Sequence, residues 1–256
     1  MAWAHVGSVG LASSKAGNQS SIAVNVDTSA AIDDVLIVVT AKDNINTTFA
    51  DHSEITSITD TGSNSYVKAH ERTGSMNTKQ ISNCSVWSSK LTTALAVNDT
   101  ITINFASSNS NDASAAIVEK FTIGSGNVVS VIDTAEADTD GADPASLTSG
   151  TLANAEHLAI YGLGWERPGT DDFTADGGFA EFSTGDIGTT GGGAASNQAV
   201  FAEWDIFTGT TITADPSEAG GETADHVSLL VIYDEGATPT ANPPAVHHQR
   251  YHNRAL

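Results

Sequence analysis

Thr100-Ile101-Thr102-Ile103-Asn104-Phe105 alternates polar and apolar side chains with a period of two. That is the pattern of a strand with one face buried. It stands inside a longer unit. Before it comes a strand carrying Val86-Trp87; after it, a polar loop and the apolar run Ala115-Ala116-Ile117-Val118-Glu119-Lys120-Phe121. A second unit repeats the order: Glu203-Trp204, then Thr210-Thr211-Ile212-Thr213-Ala214, then a polar loop and Val227-Ser228-Leu229-Leu230-Val231-Ile232-Tyr233. The loops 107–114 and 216–225 are rich in Ser, Asn, Asp and Gly, as surface turns are.

The echo extends upstream. Val35-Leu36-Ile37-Val38-Val39-Thr40-Ala41 follows the polar pair Asp33-Asp34, Leu158-Ala159-Ile160-Tyr161-Gly162-Leu163 follows Glu156-His157, and both are almost continuously apolar. Such runs suit strands covered on both faces. Ile58 to Tyr66 predicts a hairpin, strands 55–59 and 65–70 about a tight polar turn, with a weaker counterpart from Phe173 to Phe179. Further strands are expected over 2–11, 20–26, 80–89 and 128–132. The segment 133–149, rich in Ala, Asp and Thr, reads as an acidic connector, and 187–197, with three consecutive glycines, as a loop.

The expected fold is therefore all-β: an antiparallel β-sandwich, jelly-roll-like, built from two similar halves at about 20–133 and 146–235. The sandwich domain takes 1–236. From 237 the chain changes character. Thr238 to Pro244 is a proline-rich linker, and Ala245 to Leu256 follows as a basic tail with Arg250, Arg254, His247, His248 and His252.

Charge narrows the function classes. The 256 residues carry 31 acidic and 10 basic side chains, a formal net charge of −21. A body so acidic is unsuited to nucleic acid or an anionic membrane, which need clustered Lys and Arg. No stretch reaches the roughly 18 apolar residues of a membrane-spanning helix, and the first residues lack the basic start and apolar run of a signal peptide. A chain of this length buries enough surface, about 70–75%, to fold without metal or disulfide. The single Cys84 is expected as a small buried apolar residue.

Candidate chemistry is sparse. There is no G-x-S-x-G, H-E-x-x-H, P-loop or dinucleotide fingerprint, so no catalytic residue and no cofactor is expected. Asp138, Asp140 and Asp143 could offer oxygen to Ca²⁺, but their spacing is not that of a calcium loop, and a solvated acidic loop is the simpler reading. His247, His248 and His252 could ligate a transition metal, since His248 and His252 would share a face in a helix, but no Cys or acid stands near to complete a site. With Arg250, Tyr251 and Arg254 they are better read as a partner-binding tail. Of the four tryptophans, Trp87 and Trp204 are expected in the core at matching places. Trp165, leading into a loop, is the candidate exposed aromatic for a glycan contact.

These pieces resemble a β-sandwich family common in phage virion structural proteins and bacterial surface proteins. The resemblance is carried by Val35 to Val39, Ile58-Thr59-Asp60-Thr61-Gly62-Ser63-Asn64-Ser65-Tyr66, Asn98 to Ile103, Val118 to Gly124 followed by Asp133, and Leu229 to Tyr233. It covers about 20–235 and implies a structural or binding module rather than an enzyme. The first expectation is a capsid decoration (cement) protein of the virion, assembled in the host cytoplasm. Its partners would be other virion proteins, in a homo-oligomer, with a trimer expected first. The alternative is a tail-fibre or receptor-binding module for a host glycan. A carbohydrate-binding module or carbohydrate-active enzyme is third.

Overall fold

The most apolar strand of the chain is buried along its whole length, with side chains alternating between two different cores. This is β3 (Val35–Asp43). Val35, Ile37, Val39 and Ala41 enter one core; Leu36 and Val38 enter another. A continuous apolar run is what such a position requires. The computed structural model describes residues 3–43, 54–76, 79–106, 113–141, 143–167, 173–183, 185–191, 197–218 and 224–237, and among them every regular element is a strand.

The first half contributes β1 (Ala4–Ser14), β2 (Ser21–Asn25), β3, β4 (Ile55–Asp60), β5 (Val67–Met76), β6 (Lys79–Lys90), β7 (Thr100–Phe105) and β8 (Ser114–Thr122). The second contributes β9 (Asn127–Gly141), β10 (Leu147–Thr148), β11 (Ala155–Trp165), β12 (Phe173–Thr174) and β13 (Ala180–Glu181). It continues with β14 (Ile187–Gly188), β15 (Ala199–Gly209), β16 (Thr213–Ala214), β17 (Ser217–Glu218) and β18 (Ala224–Ala237).

These strands make four layers. A five-stranded sheet, β1-β8-β3-β6-β5, packs face to face on a second large sheet, β13-β15-β11-β18-β9, to which β14 adds beside β15. Between them lies the central core, including Ile37, Val39, Ile160, Leu229 and Val231. The outer face of the first sheet is covered by β2-β7-β4, enclosing Leu36, Val38, Ile101 and Ile103. The outer face of the second is covered by two short ribbons, β10-β16 and β12-β17, over Tyr161, Leu163, Phe201 and Leu230. All recorded strand pairs are antiparallel. The central pair of sheets is the sandwich expected from the sequence. The additional cover on each outer face explains why β3 and β11 are apolar on both sides.

The halves share one strand order. β1-β8-β3-β6 in the first matches β9-β18-β11-β15 in the second, and the pair β2-β7 matches β10-β16. Glycines let the large sheets come close. A β-carbon on Gly162 would lie 2.9 Å from Val39 Cγ1, and one on Gly164 would lie 2.5 Å from Ser82 Oγ and 2.9 Å from the Asn83 carbonyl oxygen.

Three expectations are corrected. The segment 133–149 is not a connector, because its first nine residues belong to β9, the first strand of the second half. Acidic side chains are tolerated there because β9 is the edge of its sheet. Next, residues 55–70 are not a hairpin: β4 pairs with β7 and β5 with β6, so the turn carries the chain from one sheet to another. It is a built corner. Asp60 accepts from the Asn64 N–H, the Asn64 amide and the Tyr66 hydroxyl at 2.9–3.0 Å. Asn64 Oδ1 then accepts the Thr92 and Thr93 N–H groups at 2.8 and 2.9 Å. In the counterpart, β12 pairs with β17 and β13 with β15, so it is no hairpin either. Finally, Trp87 and Trp204 do not occupy matching places. Trp87 pairs with Val38 and enters the first half's own core, 5% exposed. Trp204 pairs with Ile160, faces the central core and is only half-buried. A one-residue offset between the two patterns turns the side chain to the other face.

Candidate functional site

The tail residues His248, Arg250, Tyr251, His252 and Arg254 lie outside the described residues. The acidic candidates lie within or just after β9, and Asp138 and Asp143 each have a partner of their own. The Asp138 carboxylate accepts from the Arg72 guanidinium at 2.7 Å. Asp143 Oδ1 accepts the Glu218 N–H at 3.2 Å. Asp140 stands opposite Asp225 in the β9–β18 pairing. Among the described residues no three His, Cys, Asp or Glu side chains converge in a way that could hold a metal ion.

Trp165 is a correction. It is not an exposed platform but 4% exposed, at the end of β11 beneath the outer ribbons. Phe173 meets it edge-on at 4.4 Å, His226 stacks on it at 5.4 Å, and the Arg167 guanidinium lies 5.0 Å from its ring centre. The loop beyond it led to the expectation of exposure; the ribbon β12-β17 covers the ring instead.

Three buried polar groups escaped the sequence. Glu203, fully buried in β15, accepts the Asp176 N–H at 2.8 Å through Oε2, while Oε1 has no partner. Burial, with the carboxylates of Asp176, Glu181 and Asp215, pushes its carboxyl up to about 8. His226, fully buried in β18, is driven down to about 4, chiefly by burial, so it is neutral in the fold. Glu119, also buried, accepts from His5 at 2.5 Å and from the Ser183 N–H at 3.1 Å. Ser183 Oγ lies 3.4 Å from the same His5 Nε2. A catalytic triad needs carboxylate and serine on opposite ring nitrogens, so this trio is a clamp between β1, β8 and the second half. His5 also stacks on Trp204, ring centres 4.4 Å apart. Cys84 is fully buried in the central core, and burial raises its thiol well above the ordinary range.

The feature with the form of a binding surface lies at one edge of the central sandwich. There the edge strands β5 and β9 of the two large sheets lie side by side. The ion pairs of Arg72 with Glu136 and Asp138 join them, and His70 lies 2.7 Å from Glu136. Next to these charges a groove of about 250 Å³ opens, lined by Val67 of β5, Ser88 and Lys90 of β6, and Val128, Val129 and Val131 of β9. Its rim is unusually apolar for an acidic protein: Val67 is 63% exposed, and Val128 and Val131 each 37%. A bulge in β9 beside Ile132 leaves that side chain 42% exposed as well. Three of the eight exposed large apolar side chains among the described residues, Val67, Val128 and Val131, thus line this groove. The sequence carried one signal. In Val128-Val129-Ser130-Val131-Ile132 apolar residues fall on both faces, so one face must be covered by something or left bare.

Compared with known proteins, the chain matches no family model, no curated protein and no solved structure.

Proposed function

We propose that the protein is a phage virion structural protein, a capsid decoration (cement) protein that binds the shell and stabilises it. The observation that carries this reading is the division of charge along an all-β chain. Residues 1–236 hold all 31 acidic residues and eight of the ten basic ones, while 237–256 hold Arg250 and Arg254 and no acid. A rigid acidic body with a basic extension on a proline-rich linker suits attachment to a neighbouring subunit, with Tyr251 as apolar anchor and the two arginines on carboxylates. The strand order supports a jelly-roll wrapping, because 1-8-3-6 over 2-7-4 is the interleaving of two Greek keys, with β5 moved to the sheet of β6. In this reading the protein has no catalytic role, works as a homo-oligomer, first of all a trimer, and meets other virion proteins rather than nucleic acid or membrane.

Immuno-electron microscopy of particles tests it. Label distributed over the shell supports decoration. Label confined to the tail tip removes it in favour of a receptor-binding role. Absence of label from purified particles removes the virion reading altogether.

A further inference from the structure

The apolar groove between β5, β6 and β9 lies where the described chain ends. β18 runs antiparallel to β9 to its last residues, with Gly236 opposite Val128 and Ala237 opposite Asn127. Val128 lines the groove. The chain beyond Ala237 therefore starts about one strand spacing, some 4.8 Å, from the groove wall. The nine residues 238–246, Thr-Pro-Thr-Ala-Asn-Pro-Pro-Ala-Val, contain three prolines and no charge. Extended, they span about 28 Å. Each of the three prolines lacks an N–H, so the segment covers an apolar surface with three fewer donors to satisfy than an ordinary stretch of its length.

We propose that residues 238–246 of this chain seat in the groove of the same molecule, with Ala245 and Val246 covering Val67, Val128 and Val131. Proximity favours the chain's own segment over that of a second copy. A segment tethered this close has an effective concentration in the millimolar range, so even a weak contact closes. The seat hides the bare aliphatic rim of an otherwise charged protein, and it aims the basic residues 247–256 away from that edge. The inference concerns this chain alone and does not rest on the virion reading.

The test is paramagnetic broadening of valine methyl signals in the full chain. His247→Cys, just beyond the seated segment, carries the spin label, since Cys84 is buried and does not compete. The expected result is selective loss of the Val67, Val128 and Val131 methyl signals. Those of Val6 and Val97, exposed on β1 and in the loop before β7, should persist. Val67→Asp in the same labelled chain should restore the Val128 and Val131 signals at least severalfold. Equal broadening at all five valines would show an unseated tail and overturn the proposal. Broadening that appears when isotope-labelled, unspinned chains are mixed with spin-labelled ones would assign the groove to a second copy, and overturns it equally.

Discussion

The Arg72 guanidinium of β5 donates to the Asp138 carboxylate of β9 at 2.7 Å, and so joins the edges of the two large sheets. Its other arm reaches Glu136 at 2.7 Å, and all three side chains are about three-quarters or more buried. The acidic stretch that looks like a solvated linker is therefore part of the contact between the halves. A double-mutant cycle of Arg72→Ala and Asp138→Ala, read by chemical denaturation, should give a coupling of about 1 kcal/mol, larger than that of an exposed pair and reduced in 1 M salt. A coupling of zero at low salt would show that the pair does not hold the halves together.

Glu203 makes stability fall as pH rises. Its folded-state carboxyl titrates at about 8 against an ordinary 4.5, so the folded protein binds the proton more tightly than the unfolded chain. The cost of losing that proton grows from pH 4.5 upward and is complete above 8. Glu203→Gln imitates the protonated form and keeps an acceptor for the Asp176 N–H. Urea unfolding should find the variant close to the parent at pH 4.5 and more stable by on the order of 3 kcal/mol at pH 9. An unchanged difference between the two pH values would refute the shift.

His226 acts at the opposite end of the scale. Its folded pKa of about 4 lies below the ordinary 6.5, so the unfolded chain takes up the proton first. The stability it contributes is full above pH 6.5 and is lost as pH falls through 4. A titration followed by NMR should find this ring neutral at pH 5. In thermal melts, His226→Gln should show a shallower loss of Tm between pH 6.5 and 4 than the parent.

Close approach of the large sheets makes Gly164 intolerant. Its missing β-carbon would strike the Asn83 carbonyl, which is backbone and cannot swing aside. Gly164→Ala should cost about 1–3 kcal/mol by overpacking. Gly177→Ala, where the new carbon meets nothing within 4 Å, is the control and should be near neutral. Equal effects of the two would mean that the sheets are not held at this separation.

The two tryptophans should also differ. Trp87→Ala empties the core between β6 and β7 and should cost about 3–5 kcal/mol. Trp204 is half-buried against His5, and its truncation should cost clearly less. Equal losses in denaturation experiments would contradict the difference in burial.

The local pattern of this chain determined a good deal. The alternation in β7 buries Ile101, Ile103 and Phe105 as its period requires, and the apolar runs of β3 and β11 lie in the middle of their sheets. The all-β class and the recurrence of one strand order were legible, because side-chain period and turn chemistry are properties of neighbouring residues. Tertiary structure decided the rest. Whether 55–70 closes on itself or turns a corner depends on which distant strands β4 and β5 meet, and period alone does not choose a partner. The facing of Trp204 depended on register, where a slip of one residue exchanges the two faces. Trp165 is hidden by a two-residue ribbon too short to leave a periodic signal. Asp138 looked solvated until β5 brought Arg72 to it across 66 residues of chain. The groove was foreshadowed only by the doubled valines of β9, since a concavity exists only once two sheets are stacked and their edges come together.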